Sequence, residues 1–131
     1  MKKTVLLASL GRNTVEDSLL ANDIAVVAMP MMYIEEERPP VDRIIYYFGD
    51  VTYGEPNKNR LGPIMANLMR DLTLEQPGQV IVCESDGPWW TTEIAKFATA
   101  RGALWAPDTE SILEAITQDV RPVIHSAELE S

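Results

Sequence analysis

Apolar residues in this chain come in short unbroken runs, separated by polar stretches that carry glycine or proline. Thr4–Ser9, Ile24–Met29, Arg43–Phe48, Gln79–Cys83 and Ala103–Ala106 are such runs. They favour Val, Ile and Tyr and do not alternate with polar residues, the pattern of strands covered on both faces. Other stretches place apolar residues at helical spacing. Val15–Ala21 is one, with Asn13 or Thr14 placed to cap it and Glu16 and Asp17 in the first turn, where the helix dipole favours acids. Ile64–Leu74 is a second, with Ile64, Met65, Leu68, Met69 and Leu72 on one stripe. Thr92–Arg101, stopped by Gly102, is a third, and a fourth starts at Asp108 or Thr109 and ends near Ile116.

The predicted order is therefore β-α-β-β-α-β-α-β-α. It predicts a three-layer α/β sandwich, Rossmann-like, around a mainly parallel five-stranded sheet. The whole of 1–131 reads as one domain, with a loosely packed tail from Arg121 in which "RPVIH" could add a short edge strand. Two connections stand out. Glu35-Glu36-Glu37-Arg38-Pro39-Pro40 reads as a solvated surface loop, and Val51–Pro63, with Gly54, Pro56, Gly62 and Pro63, as a long loop of the kind that often binds ligands.

Composition narrows the function. The basic, apolar start Met1–Ala8 is interrupted by Gly11-Arg12-Asn13, so it reads as a first strand and not as a signal peptide. No apolar run approaches the ~20 residues that cross a bilayer. One cysteine, Cys83, forms no internal disulfide and fits a reducing, cytoplasmic setting; it reads as an inert core thiol. One His and one Cys make a His/Cys metal centre implausible, and no cofactor is expected. A net charge of −9 argues against duplex nucleic acid as a partner, while leaving room for a small anion at a helix start.

In such sheets ligands bind beyond the carboxyl ends of the strands. That rule selects Ser9–Thr14, the loop after Phe48, and Glu84–Glu93. In the first segment Ser9, Asn13 and Thr14 offer polar donors, Gly11 lets the backbone approach and Arg12 can pair with phosphate; an ordinary strand-to-helix turn is the alternative. In the last segment Asp86 follows a buried strand and Glu93 is expected in the first turn of the next helix, facing the cleft. A carboxylate there could act on a sugar carbon; helix capping by Asp86 and Thr91 is the alternative. Of Trp89 and Trp90, one is free to stack on a base, since adjacent rings do not both face a core easily. Asp71 on the preceding helix reads, by itself, as a solvated acid. Tyr46, Tyr47 and the methionines at 29, 31 and 32 read as packing, and His125 as surface.

The stretch Asp71–Trp105, "DLTLEQPGQVIVCESDGPWWTTEIAKFATARGALW", resembles the nucleoside 2-deoxyribosyltransferases and their relatives, the 2'-deoxynucleoside 5'-phosphate N-hydrolases. The shared pattern is Asp-Leu on a helix, a strand ending in a small residue and Glu, a loop with Pro, then Glu-Ile, a small residue and Ala before the next Gly and strand. The opening "LLASLGRNTVEDS" is similar to their first strand and phosphate-binding turn. The first helix is shorter than theirs, Ala95 stands where they carry Gly, and the loop before Glu93 is shorter and richer in tryptophan. The resemblance implies cleavage or transfer at the bond between deoxyribose and base. Glu93 would be the nucleophile, and Asp71 or Asp86 would protonate the base or orient the sugar. Ser9, Gly11 and Arg12 would take the phosphate side, with Asp86, Trp89 and Trp90 beside sugar and base. The carboxyl groups of Glu93, Asp71 and Asp86 would share one open hollow. The family's habit, with the apolar Met29–Met32 segment, implies a homodimer.

Two other readings stay open. "SLGRNT" and "SDGPWW" also look like the turns of Rossmann-type domains that sense cyclic oligoadenylates in CRISPR signalling, although the second turn lacks their lysine and paired glycines. The third reading is a protein-interaction module using Val51–Pro63 and the tryptophans.

Overall fold

The computed structural model describes residues 2–11, 13–34, 38–49, 58–73, 77–84 and 88–122. The elements run β1 (Thr4–Leu10), α1 (Val15–Ala21), β2 (Ala25–Pro30), a 3₁₀ turn (Met31–Tyr33), β3 (Arg43–Phe48), α2 (Lys58–Thr73), a second 3₁₀ turn (Pro77–Gln79), β4 (Val80–Cys83), α3 (Trp89–Thr99), β5 (Leu104–Ala106) and α4 (Thr109–Thr117). All five strands are parallel, in the order β2-β1-β3-β4-β5. This is the doubly wound flavodoxin-like order, and the strand sequence reverses between β1 and β3. Among the described residues no helix is long and apolar enough to cross a membrane.

Alternate residues of each central strand feed two cores. Leu6, Ala8, Ile44, Tyr46, Val80 and Val82 face α2, α3 and the Met31–Tyr33 turn. Val5, Leu7, Ile45, Ile81 and Cys83 face α1 and α4. Covering both faces explains why the strands read as continuous apolar runs. Met31 and Ile34 fill the first core between β2 and β3, where the described residues form a 3₁₀ turn and no α-helix.

Two helix starts differ from the sequence reading. α2 begins at Lys58, so Gly62 and Pro63, expected to end a loop, lie inside it. The missing N–H of proline removes one ladder bond, while Ile64, Leu68 and Leu72 bury a continuous stripe on the sheet, each worth about 1.5–3 kcal/mol. Residues 51–57 of the expected loop lie outside the described set. α3 begins at Trp89, three residues earlier than the apolar spacing implies, after Pro88 in an extended conformation. Gly102 has φ 103°, a left-handed turn that suits glycine and ends this segment as expected.

The amino edge of the sheet is tied to the turn that follows α4. Arg43, 1% exposed, donates from Nη2 to the Val120 carbonyl and lies 3.4 Å from Asp119 Oδ1. Burial, then the nearby Arg121, lowers the pKa of Arg43, while the Arg43 hydrogen bond lowers that of Asp119.

Candidate functional site

The carboxyl edge is where the fold rule puts a ligand. The Gly49 N–H donates to the Leu10 carbonyl at 2.7 Å and joins the ends of β1 and β3 at the reversal of strand order. Ser9 is half-buried beside this junction, and Gly11 turns the chain away with φ 82°. Asn13 serves α1: its Oδ1 accepts from the Glu16 N–H at 3.3 Å. Arg12 lies outside the described residues, as do Asp86 and His125.

From β4 the chain passes to α3 through Glu84, a carboxylate only 5% exposed. The Thr92 hydroxyl donates to Glu84 Oε1 at 3.3 Å. The Thr91 hydroxyl lies 3.4 Å from the same oxygen but 2.7 Å from the Pro88 carbonyl. A hydroxyl has one proton, so the shorter bond to Pro88 takes it and Thr92 is the steadier partner of Glu84. Thr91, one of the two alternative capping residues, does not cap α3 with its side chain; its N–H also donates to the Pro88 carbonyl at 3.0 Å, and Asp86, the other, lies outside the described residues. The two tryptophans separate as adjacent helical residues must. Trp90 is buried edge-on against Phe48, with ring centroids 6.3 Å apart at 87°, while Trp89 is 59% exposed.

Glu93 does not stand in the first turn of α3, because the helix starts earlier, and that turn holds no acid. Its side chain is 61% exposed and its Oε1 lies 3.6 Å from Lys96 Nζ.

Asp71 also departs from expectation. Its side chain is fully enclosed, so its carboxylate does not line an open hollow with Glu93. Arg38 Nε donates to Asp71 Oδ1 at 2.8 Å, and the Tyr46 hydroxyl donates to Oδ2 at 2.6 Å. Arg38 Nη2 reaches the Asn67 carbonyl at 3.3 Å, and Asn67 Nδ2 donates to the Met31 carbonyl at 3.3 Å. Arg38, 8% exposed, thus turns into the molecule and clamps the β2–β3 crossover onto α2, while Glu35–Glu37 of the same loop lie outside the described residues. Burial first, then the Asp71 charge, raises the pKa of Tyr46, so its proton stays on the bond to Asp71.

The thiol of Cys83, ahead of Glu84, is pushed up to about 12 by burial, with Asp108 and Glu84 adding to the effect. A thiol so held is not a nucleophile near neutral pH. Among the described residues no three His, Cys, Asp or Glu side chains converge on a point that would suit a metal ion.

No protein-family model, curated protein or solved structure matches the chain. Its chemistry therefore has to be read from the geometry. The sequence pattern missed Arg38, Tyr46, Asn67, Glu84 and Thr92 as interacting polar residues. Only Glu84 carried a signal, an acid set directly after a run buried on both faces.

Proposed function

We propose that this chain binds a nucleoside or nucleotide at the carboxyl edge of its sheet, near the junction of β1 and β3. One observation carries the reading: the strand order reverses at that junction, and polar Ser9, the left-handed Gly11 and the buried Glu84 all lie at this edge of the sheet. The exposed ring of Trp89, at the start of α3, offers a stacking surface for a base.

Cleavage of an N-glycosidic bond by Glu93 is the second reading, favoured by the resemblance of Asp71–Trp105 to the deoxyribosyltransferases. Against it stand the exposure of Glu93, its pairing with Lys96 and the enclosure of Asp71. A nucleophilic carboxylate gains most where water is excluded, and Glu93 is largely in water. Binding without turnover is therefore ranked first.

A thermal-shift screen of deoxynucleosides, their 5'-phosphates and cyclic oligoadenylates tests binding, and chromatography of each hit for free base tests turnover. The expected result is a raised Tm with at least one nucleoside or nucleotide and no base released. Base release that disappears in Glu93→Gln would promote the second reading. No shift with any nucleotide would overturn both and leave the interaction module.

A further inference from the structure

Resting on the nucleoside or nucleotide reading of the carboxyl edge, we infer that Glu84 is the specificity-determining residue there. Its carboxylate takes a neutral hydrogen-bond donor of the ligand, a sugar hydroxyl or a base amino group, and turns any phosphate away from β4.

Strand register places this residue. Ser9 on β1, Tyr47 on β3 and Cys83 on β4 lie in one row across the sheet. Glu84 follows Cys83 and stands level with Leu10 and Phe48, one row closer to the carboxyl edge. β3 lies between β1 and β4, so about 10 Å separates the strand of Glu84 from that of Ser9. The reversal of strand order between β1 and β3 thus has a carboxylate on the very next strand. Trp89, whose ring is 59% exposed, starts the helix that follows Glu84.

Charge and burial decide what this end of the edge accepts. Glu84 is 5% exposed. A carboxylate accepts hydrogen bonds and donates none, and its two oxygens have room for about four donors. The Thr92 hydroxyl reaches Oε1 at 3.3 Å and orients the group. With bulk water largely excluded, a donor carried in by a ligand gains more here than at an open surface. An anion is repelled more for the same reason. A nucleoside carries suitable donors on its sugar and on its amino-bearing bases, whereas a phosphate brings negative charge. Two other acids near this edge are placed differently. Glu93 stands in water beside Lys96, and Asp108 accepts from the Ser111 N–H at 2.8 Å and caps α4. Of the three, Glu84 is the buried one.

Titration calorimetry tests this with probe pairs that differ by one donor group. Each amino-bearing nucleoside is compared with the form lacking that amino group, as guanosine with inosine, and each ribonucleoside with the forms lacking one sugar hydroxyl. The first set reports a base donor and the second a sugar donor. In the wild type at least one pair should differ in affinity by about tenfold or more, as expected for a hydrogen bond to a charged group. In Glu84→Gln the same ratio should shrink to about twofold, because the charge is gone. A purely structural role for Glu84 would weaken both members of a pair alike and leave their ratio standing. Circular dichroism checks folding, and if Glu84→Gln is not folded, Glu84→Asp, which draws the charge back by one methylene, is read on the same ratio. Failure of every probe to bind the wild type overturns the inference together with the reading beneath it. Binding with no discriminated pair, or with a ratio that the Glu84 variant leaves intact, overturns the inference alone. So does a 5'-phosphate that tightens binding more in Glu84→Gln than in the wild type, since that sets the anion beside Glu84.

Discussion

Asp71 and Glu93 lie on two helices that cover the same face of the sheet, yet they differ in almost every physical respect. Asp71 is sealed from water between Arg38 and Tyr46. Glu93 stands in water beside Lys96. The resemblance to the deoxyribosyltransferases implies that both belong to one site. The difference teaches that a carboxylate's role follows from its partners and its solvent. Asp71 holds the crossover between β2 and β3 to α2, and its charge is tied up in doing so. Glu93 is unconstrained, and its exposed ion pair contributes little.

The sharpest way to break this contrast is Asp71→Ala. It leaves the buried Arg38 guanidinium without its carboxylate, and loss of one partner of a buried pair costs about 3–5 kcal/mol. Urea denaturation should show that loss; a change below about 1 kcal/mol would mean that the clamp is not what holds the crossover. Replacing Arg38 and Asp71 together with apolar residues of similar volume should cost much less than Asp71→Ala alone.

Tyr46→Phe should cost less, about 1–3 kcal/mol, since it removes one donor from a buried carboxylate. It also has a pH signature. Tyr46 is raised above its ordinary value of 10.0 in the folded chain, and Cys83 is raised from 9.0 to about 12. Below pH 9 both groups keep their protons whether the chain is folded or not, so their contribution is whole. As the pH climbs past 9 and then 10, the unfolded chain releases protons that the folded chain retains, and stability falls. Melting followed from pH 8 to 11 should show this decline in the wild type and a shallower one in Tyr46→Phe. Stability rising over that interval would contradict the burial of both groups.

Glu93→Gln should have the smallest effect, within about 0.5 kcal/mol of wild type. A loss of 2 kcal/mol or more in chemical denaturation would mean that Glu93 is held by more than Lys96, and would erase its contrast with Asp71.

Much of the fold could be read from the sequence because it rests on local periodicity. β3 and α1 occur at the predicted residues, and the other strands fall within one residue of expectation at each end. Errors fell where turn residues sit inside helices. Gly62-Pro63 and Trp89–Thr91 read as loop, but buried stripes on the sheet carry α2 and α3 through them. Little of the polar architecture could be read. Arg38 lies 33 residues from Asp71 in the chain, and Tyr46 lies 25 from it. No local spacing marks such partners.

The pattern of apolar runs and helical stripes by itself determined the layered α/β architecture and its parallel sheet, because burying a strand on both faces leaves a continuous trace in the chain. Only the tertiary structure decided which acids are enclosed and which face water. That outcome depends on whether a donor from a distant segment arrives to offset desolvation, and folding alone brings Arg38 and Tyr46 to Asp71 while leaving Glu93 with its helical neighbour.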